Sequence, residues 1–356
     1  MNQAIIDHHS SIIFHQRVPI PTSLLTDIGG GPNSRIYARE DVSKKEIVFN
    51  AKTFSRAREV KVNASGHALV GADTLERMGV GNGVLVQFER NGESVTARFV
   101  DRKNVEDDHP LMTPNLVNGL AMPPGWLCQS FTSMPCPVQF YKTGRNTVSH
   151  LLRIAKEHGV DADAVKSVFD WGCGSGRVLG QMTDAFPNAK LHGCDLHAEA
   201  VAWANANYPH LEATVSQEMP PLKAYSDAQF DFLYAISVFT HLDEPTQDAW
   251  LGELQRISKP GALLVLTYRS DEFVRSVWPD NAARKTLLDA LETGNGFAYQ
   301  GHDLWEGVFP DYYADAYQTD DYIRSHWEQW FDVLSLVPSG SFANRQNAAV
   351  VRRRLD

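Results

Sequence analysis

The chain has 356 residues, a length typical of about two domains, and 43% of its residues are hydrophobic, which is enough to fill real cores. Its formal net charge of −10 disfavours a general nucleic-acid binder, because such proteins present positive charge to phosphates. No run approaches the ~18 apolar residues that a membrane-spanning helix requires, so no membrane association is predicted.

The first residues lack the basic-then-apolar pattern of a secretory signal peptide, and four cysteines are few for this length. We therefore expect reduced thiols in a cytoplasmic protein. The spacing of Cys128 and Cys136 is not that of a zinc knuckle, so no metal site is predicted.

Residues 1–110 are predicted to form a small β-rich domain. Apolar and polar residues alternate in several short runs, a pattern typical of antiparallel strands. Asn91-Gly92 between the last two runs is a strong signal for a two-residue hairpin turn. A short helix is expected from Ala72 to its stop at Gly79. The alternating runs are residues 34–38, 46–50, 59–63, 84–89 and 94–100.

Residues 111–138 are rich in proline, which removes backbone donors and fixes φ. This composition predicts a linker that runs extended over a surface. A helix is then expected to begin near Thr147 and to stop at Gly159.

Beyond residue 139, predicted strands and helices alternate, which is typical of an α/β domain with a parallel sheet and helices on both faces. We expect this domain to extend over residues 139–356, with an insertion at about 270–330 that is longer than ordinary connections. The expected strands are 167–170, 190–194, 212–215, 231–235 and 262–268, the helices are 176–185, 197–207 and 246–257, and residues 331–337 and 347–353 form a final antiparallel pair.

The most informative stretch is Val168-Phe-Asp-Trp-Gly-Cys-Gly-Ser-Gly-Arg177. It predicts a buried strand that ends in Asp170, followed by a glycine turn in which backbone amides and a flat ligand approach closely. Asp195 ends the next strand, where an acid is placed to bind a ribose diol. The G-x-G-x-G spacing after an acid differs from the G-x-G-x-x-G of dinucleotide sites, and it favours a cationic ligand without phosphates over a dehydrogenase cofactor.

With these motifs the chain resembles class I S-adenosylmethionine (SAM)-dependent methyltransferases over about residues 139–354. The resemblance implies a Rossmann-like, doubly wound, seven-stranded sheet with a closing antiparallel hairpin, and it implies SAM as the cofactor. Four motifs carry it in the family order, namely Asp170-Trp-Gly-Cys-Gly-Ser-Gly176, Gly193-Cys-Asp195, residues 230–242 and residues 254–266.

The resemblance also implies which residues contact the cofactor. Asp195 is expected to accept from both ribose hydroxyls, with a helix N-cap as the alternative. Asp170 is expected either to accept from the SAM ammonium or to hold the glycine loop. Gln217 is the candidate adenine contact, with Glu218 as the alternative, and the two prolines that follow depart from the family pattern. The other expected cofactor contacts are Tyr141, Gly172, Cys173, Gly174, Gly176, Arg177, Leu196, Ser237 and Phe239.

His241, just past the fourth strand of this core, is the candidate general base. A hydroxyl acceptor must lose a proton as it is methylated, and a histidine with a pKa near ~6.5 suits that task. The alternative is a structural histidine that caps the following helix or shapes the cofactor pocket.

The insertion contains a polar and aromatic cluster that is expected to bind the acceptor. The alternative is that these aromatic residues are the small core of the insertion. The candidate acceptor-binding residues are His302, Trp305, Asp311, Tyr312 and Tyr313, together with Arg345 between the closing strands.

The sequence therefore predicts a SAM-dependent methyltransferase that acts on a small-molecule or glycan-type acceptor, most readily at oxygen. An N- or C-methyltransferase and a SAM-binding module without turnover are the alternatives. A homodimer contact or a protein partner is the expected use of the N-terminal domain.

Overall fold

The structure is a computed structural model that divides into two compact units, residues 1–140 and 141–356. It describes residues 10–12, 18–20, 22–31, 33–62, 67–68, 70, 72–80, 84–101, 104, 112–132, 136–277, 282–300, 314–339 and 345–355.

An antiparallel sheet forms the body of the first unit. Its elements are β1 (Ser10–Ile12), β2 (Val18–Pro19), α1 (Thr22–Asp27), β3 (Arg35–Asp41), β4 (Glu46–Asn50), β5 (Arg58–Lys61), β6 (His67–Ala68), α2 (Ala72–Arg77), β7 (Leu85–Asn91) and β8 (Ser94–Val100). The sheet has the order β1-β7-β8-β4-β3-β5, and β2 pairs with β6. The prediction of a small β-rich domain with one helix near residue 72 is confirmed, with α1 as an additional helix. Asn91 and Ser94 pair across the predicted hairpin, where Gly92 has φ +64°.

The proline-rich segment differs from the extended linker that its composition predicts. It contains a hairpin, β9 (Asn115–Val117) with β10 (Leu120–Met122), and a helix, α3 (Gly125–Thr132). Asn118 and Gly119 form the hairpin turn with φ +52° and +79°, as a type I′ turn requires. Pro123 and Pro124 directly precede α3, and Pro137 is the first residue of the next helix, α4 (Pro137–Glu157).

A seven-stranded sheet forms the body of the second unit, which confirms the predicted fold class. Its strands are β11 (Ser167–Trp171), β12 (Lys190–Asp195), β13 (Leu211–Val215), β14 (Phe230–Ala235), β15 (Ser258–Tyr268), β18 (Asp332–Val337) and β19 (Asn347–Arg352). Two further strands, β16 (Phe297–Gln300) and β17 (Asp315–Gln318), belong to the insertion. The order is β13-β12-β11-β14-β15-β19-β18. Neighbouring strands are parallel as far as β15, and β19 runs antiparallel between β15 and β18. The closing hairpin is therefore present.

Helices α5 (Ala198–Asn207) and α6 (Glu244–Ile257) connect these strands as predicted. The predicted helix over 176–185 is wrong, because only a 3-10 turn forms there, at Leu179–Gln181. The Gln181 side chain donates to the Arg177 carbonyl over 2.8 Å, which is the acceptor that an α-helical Gln181 amide would use. That amide bonds to Val178 instead, so the segment winds more tightly.

Two glycines outside the glycine turn are in close contact with it. A methyl group on Gly144 of α4 would lie 2.1 Å from the carbonyl oxygen of Arg177. One on Gly180 would lie 2.7 Å from the ring of Tyr208, a ring that also lies 2.8 Å from such a group on Gly176. Backbone and ring therefore support the turn from behind.

The insertion follows β15. Its described elements are α7 (Asp271–Val277), α8 (Ala282–Thr293), β16 (Phe297–Gln300), β17 (Asp315–Gln318) and α9 (Asp320–Trp327). Strands β16 and β17 pair with each other, and a small core of Val274, Leu287, Leu291, Ala298 and Tyr317 joins them to the helices. Trp327 and Phe331 are fully buried in the main core, and Trp330 is partly buried against it.

None of the helices in the described residues has both the length and the apolar character to cross a membrane. The four cysteines are free thiols. Across the described ranges, no three metal-ligating side chains form a cluster.

Candidate functional site

The candidate site lies at the carboxyl edge of the parallel strands, where the strand order reverses around β11. Asp170 near the end of β11 is in register with Gly193 of β12 on one side and with Tyr234 of β14 on the other. Asp195 ends β12. Ligands of doubly wound sheets bind at this switch point, so the two acids are in the place where a nucleoside is expected.

The glycine turn is held by backbone hydrogen bonds to the end of β12. The amides of Gly172 and Cys173 donate to the Cys194 carbonyl over 2.9 and 3.0 Å. Gly172, Gly174 and Gly176 have φ of +83°, +53° and +80°, a left-handed region that favours glycine. The sequence forms this turn here because three of its five residues accept that conformation.

Asp195 connects this turn to the next helix. One carboxylate oxygen accepts from the Gly174 amide over 2.8 Å, and the other accepts from the His197 amide over 2.8 Å. Burial raises the pKa of this carboxyl, and the two amide bonds oppose that shift. Each oxygen retains a lone pair, so the carboxylate is fixed in orientation and still able to accept from a diol. Leu196 beside it is 47% exposed and offers an apolar surface.

Asp170 is buried beneath the turn, with 3% of its surface exposed. Burial raises the pKa of its carboxyl to about 8, and the neighbouring Tyr234 hydroxyl and Arg177 guanidinium oppose that shift. Burial also lowers the pKa of Arg177, while Asp170 raises it. A cationic ligand group near Asp170 would stabilise its ionised form.

The residue that follows β14 by two positions, Ser237, has a left-handed backbone with φ +66°. Its amide donates to Oγ1 of the buried Thr267 over 2.7 Å, and its hydroxyl accepts from Nε2 of Gln346 over 2.8 Å. A methyl group on Gly172 would lie 2.5 Å from Cγ2 of Val238, so this segment touches the glycine turn. Non-glycine residues held in this conformation occur preferentially at functional sites.

Phe239, a predicted cofactor contact, is fully buried. Its ring packs against Trp171 and Trp327, with centroid distances of 5.1 Å to each. The ring therefore supports the floor of the site, and a direct cofactor contact by Phe239 stays a prediction.

His241 is buried, and both of its ring nitrogens have neighbours. Nδ1 lies 3.0 Å from the Ala314 carbonyl oxygen and 3.5 Å from Oδ1 of Asp315. Nε2 lies 3.5 Å from a guanidinium nitrogen of Arg269. Arg269 also pairs with Asp315 and donates to the Thr240 carbonyl over 3.1 Å. This arrangement favours a structural histidine that joins the end of β14 to the insertion, and the role of His241 as a base stays a prediction.

The remaining predicted cofactor contacts are distributed around the glycine turn. Tyr141 is half-buried, and its carbonyl accepts from Gln181 over 3.3 Å. Cys173 is buried, with its side chain against Gly193. Gln217 follows β13 with an exposed side chain, and it makes no contact that would identify it as the adenine partner.

Of the predicted acceptor-binding residues, only Arg345 is described. It has φ +56° and an exposed side chain, and it precedes Gln346 at the start of β19. The others, His302, Trp305, Asp311, Tyr312 and Tyr313, lie outside the described residues.

Sequence reasoning missed Thr267, Arg269 and Asp315. Thr267 follows the buried apolar run Ala262–Leu266, and that change in polarity was a usable signal. Arg269 and Asp315 are 46 residues apart, and nothing local in the sequence indicates that they pair.

The site fits SAM. The oriented Asp195 carboxylate matches a ribose diol, and a cationic group beside Asp170 would favour the ionised form of this buried carboxyl, whose pKa burial raises. Near Ser237, the side-chain oxygen Oε1 of Gln346 is buried and has no hydrogen-bond partner.

Comparisons with known proteins agree with this geometry. Residues 168–261 match a family model described as a methyltransferase domain. A malonyl-[acyl-carrier protein] O-methyltransferase from Halalkalibacterium halodurans is 26% identical over 182 residues, which cover 48% of this chain and 64% of that protein. An enzyme of the same name from Hahella chejuensis is 27% identical over 103 residues, or 28% of this chain and 35% of that protein. The alignments thus span less than two thirds of either relative.

A solved S-adenosylmethionine-dependent methyltransferase from Clostridium acetobutylicum superimposes with a TM-score of 0.42 at 11% identity, covering 59% of this chain and 92% of that one. The family match confirms the resemblance that the four motifs indicated.

Proposed function

We propose that this chain, in which residues 168–261 belong to a class I SAM-dependent methyltransferase domain, transfers the methyl group of SAM to an oxygen atom of a small-molecule acceptor. One observation carries the proposal. The Asp195 carboxylate is tied to the Gly174 amide, so the ribose-binding acid and the glycine turn form one rigid unit at the switch point.

Each residue around the turn has a proposed role toward the cofactor. Asp195 accepts from the ribose hydroxyls, and Leu196 offers its exposed apolar surface to the adenine ring. Gly172, Gly174 and Gly176 allow close approach of the backbone. Asp170 supports the cationic methionine end, either by direct contact or by holding the turn. Tyr141, Cys173, Arg177, Gln217, Ser237 and Phe239 complete the proposed cofactor site.

SAM supplies an already activated methyl group on a sulfonium, so the protein has to orient the reacting atoms for an in-line displacement. The proposed contribution of the chain is therefore mainly positional. His241 contributes by joining the end of β14 to Ala314 and Asp315 of the insertion. The candidate proton acceptors for a hydroxyl substrate are His241 and the insertion residues His302 and Asp311.

Oxygen is favoured as the methylated atom because the relatives from Halalkalibacterium halodurans and Hahella chejuensis are named O-methyltransferases. Because their names contain malonyl-[acyl-carrier protein], a malonyl group on a carrier protein is one acceptor to test. Transfer to nitrogen or carbon is the second candidate, and a binding module without turnover is the third.

Two measurements test the proposal. Calorimetry should give saturable binding of SAM and of S-adenosylhomocysteine (SAH) to the full chain. Incubation with SAM that carries a deuterated methyl group, across a panel of hydroxyl, carboxyl and malonyl-thioester acceptors, should then give a labelled product whose methylated atom NMR identifies. If the chain binds neither SAM nor SAH, the proposal fails. If label appears on nitrogen or carbon, the assignment of oxygen fails.

A further inference from the structure

Ser237 and Gln346 form a buried polar contact that neither the cofactor motifs nor the family match assigns. The two residues are 109 positions apart, and Nε2 of Gln346 donates to Oγ of Ser237 over 2.8 Å. Gln346 is only 4% exposed, and its other amide atom, Oε1, is buried without a hydrogen-bond partner. A buried acceptor without a partner is costly, so it needs a reason in a native structure.

The contact holds a strained segment. Ser237 has φ +66°, a conformation that costs a serine free energy and persists only where the surrounding structure holds it. Two side chains fix it here, because Thr267 accepts from its amide over 2.7 Å while Gln346 donates to its hydroxyl. Arg345, with φ +56°, precedes Gln346, so the backbone departs from ordinary conformations on both sides of the contact.

The position of this contact relates it to one end of the cofactor. Val238, next to Ser237, lies against Gly172, where a methyl group would come within 2.5 Å of Cγ2. Gly172 follows the strand that carries Asp170, whereas Asp195 ends the neighbouring strand on the other side of the turn. With the ribose at Asp195, the Ser237 side of the turn faces the opposite part of the ligand, which is its methionine part.

We propose that Gln346 is part of the binding site for the amino-acid end of SAM. Its amide nitrogen fixes Ser237 in the left-handed conformation, and its carbonyl oxygen accepts a hydrogen bond from the ligand ammonium group. This inference rests on the proposed function, because it assigns a residue of the closing hairpin to the same cofactor.

A pair of ligands tests it. SAH carries the amino-acid group, and 5′-methylthioadenosine has the same adenosine and a thioether but no amino-acid group. Calorimetry with both ligands should show that Gln346→Met lowers the affinity for SAH by about ten- to a hundredfold, the usual effect of losing a hydrogen bond to a charged group. Binding of 5′-methylthioadenosine should stay within about twofold of wild type, because it does not depend on the proposed contact.

Gln318→Met is the matched control. Gln318 is also fully buried, also donates through Nε2 to one side chain (Gln247, 2.6 Å), and also has a buried Oε1 without a partner. It should lose stability without changing the ratio of the two ligand affinities. Ser237→Ala is the second variant in case Gln346→Met does not fold. It should also lower the affinity for SAH more than the affinity for 5′-methylthioadenosine.

The outcomes separate the two proposals. If wild type binds neither SAH nor SAM, the proposed function fails. A second outcome is that wild type binds SAH and 5′-methylthioadenosine, and that the Gln346 and Ser237 variants lose affinity for both ligands equally or for neither. The assignment of Gln346 is then overturned, while SAM remains the proposed cofactor. The assignment of Gln346 is also overturned if Gln318→Met lowers the affinity for SAH, relative to that for 5′-methylthioadenosine, as much as Gln346→Met does.

Discussion

The main-chain nitrogen of Gly174 donates to Oδ2 of Asp195 over 2.8 Å, and the same carboxylate accepts from the His197 amide through Oδ1. Asp195 therefore has a structural role beside its proposed role towards the ribose, since it closes the glycine turn against β12 and accepts from the amide of His197, the N-cap residue of α5. A substitution at this position removes both functions together.

We expect Asp195→Ala to lower SAM affinity by more than about tenfold, because a charge-assisted contact to the ribose is lost and two amides lose their acceptor. Asp195→Asn should lose less stability, since one side-chain oxygen still accepts from Gly174 or His197. Calorimetry and urea unfolding measure the two effects. Asp184→Asn, which changes a carboxylate with 77% of its side chain exposed, is the control and should leave SAM affinity unchanged. Unchanged SAM binding in Asp195→Ala would contradict the site.

Gly172→Ala should destabilise the protein for two separable reasons. Its φ of +83° disfavours any side chain, which costs about 1–2 kcal/mol, and the new methyl group would overlap Val238 at 2.5 Å. Gly159→Ala is the matched control, because Gly159 has φ +76° but nothing lies within 4 Å of the added group.

A double-mutant cycle isolates the overlap. Val238→Ala should make Gly172→Ala less harmful, with a favourable coupling of about 1–2 kcal/mol in the free energy of unfolding. The same pairing of Val238→Ala with Gly159→Ala should be additive. Additivity in both cycles would mean that the turn and the segment after β14 are not in contact.

The raised pKa of Asp170 predicts a pH-dependent stability. Burial holds this pKa at about 8, above the ordinary value of 3.8, so between these limits the folded protein keeps a proton that the unfolded chain has released. The contribution of Asp170 to the free energy of unfolding should therefore be largest below about pH 4, fall as the pH rises towards 8, and level off above it. The slope of this fall should reach up to about 1.4 kcal/mol per pH unit.

The difference between wild type and Asp170→Asn isolates this contribution in urea unfolding from pH 5 to 8. Asp231→Asn is the control. Burial raises the pKa of Asp231, but hydrogen bonds from Lys259 and Ser167 outweigh it and leave that pKa below its ordinary value. Asp231→Asn should thus differ from wild type by a constant amount over this range. A pH-independent difference for Asp170→Asn would contradict the prediction.

The ion pair between Arg269 and Asp315 should be a main attachment of the insertion to the sheet. Both side chains are about 15% exposed, so Asp315→Asn should cost about 3 kcal/mol in the free energy of unfolding, because it leaves a largely buried guanidinium without its anion. Hydrogen exchange at the Ala314 amide, which donates to the His241 carbonyl, should accelerate.

The more exposed pair Arg354–Asp332 provides the comparison, and Asp332→Asn there should cost less than about 1 kcal/mol. Replacing both Arg269 and Asp315 by apolar residues should recover part of the loss, since no buried charge then remains alone. Equal costs for Asp315→Asn and Asp332→Asn would mean that the buried pair does not anchor the insertion.

Local sequence patterns predicted most of the sheet. The ends of the alternating runs in the first unit and of the apolar runs in the second lie within four residues of the ends of the observed strands, because burial on one or both faces dictates those patterns. The Asn118-Gly119 turn was overlooked, although it contains the same Asn-Gly dipeptide as the recognised hairpin at Asn91-Gly92, whose two turn residues are Gly92 and Glu93. Proline density dominated the interpretation of that segment, whereas Pro123 and Pro124 precede a helix and Pro137 begins one.

What the sequence did not predict depends on long-range contacts. The helix expected after the glycine turn is replaced by a 3-10 turn because the Gln181 side chain competes for the Arg177 carbonyl. Arg269 pairs with Asp315 only after the insertion has folded back onto the end of β14. No periodicity records such contacts, because they are specific to tertiary packing.

Gly144 and Gly180 have a consequence for redesign of this protein. They lie outside the glycine turn, yet α4 and the Tyr208 ring approach so closely at these positions that an added methyl group would lie within 2.1–2.7 Å of a neighbouring atom. The wall of the cofactor pocket is thus backed by packed protein, without free volume behind it. To accommodate a bulkier cofactor analogue from this side, a designer would have to shorten Tyr208 and move α4 before changing any residue that touches the ligand.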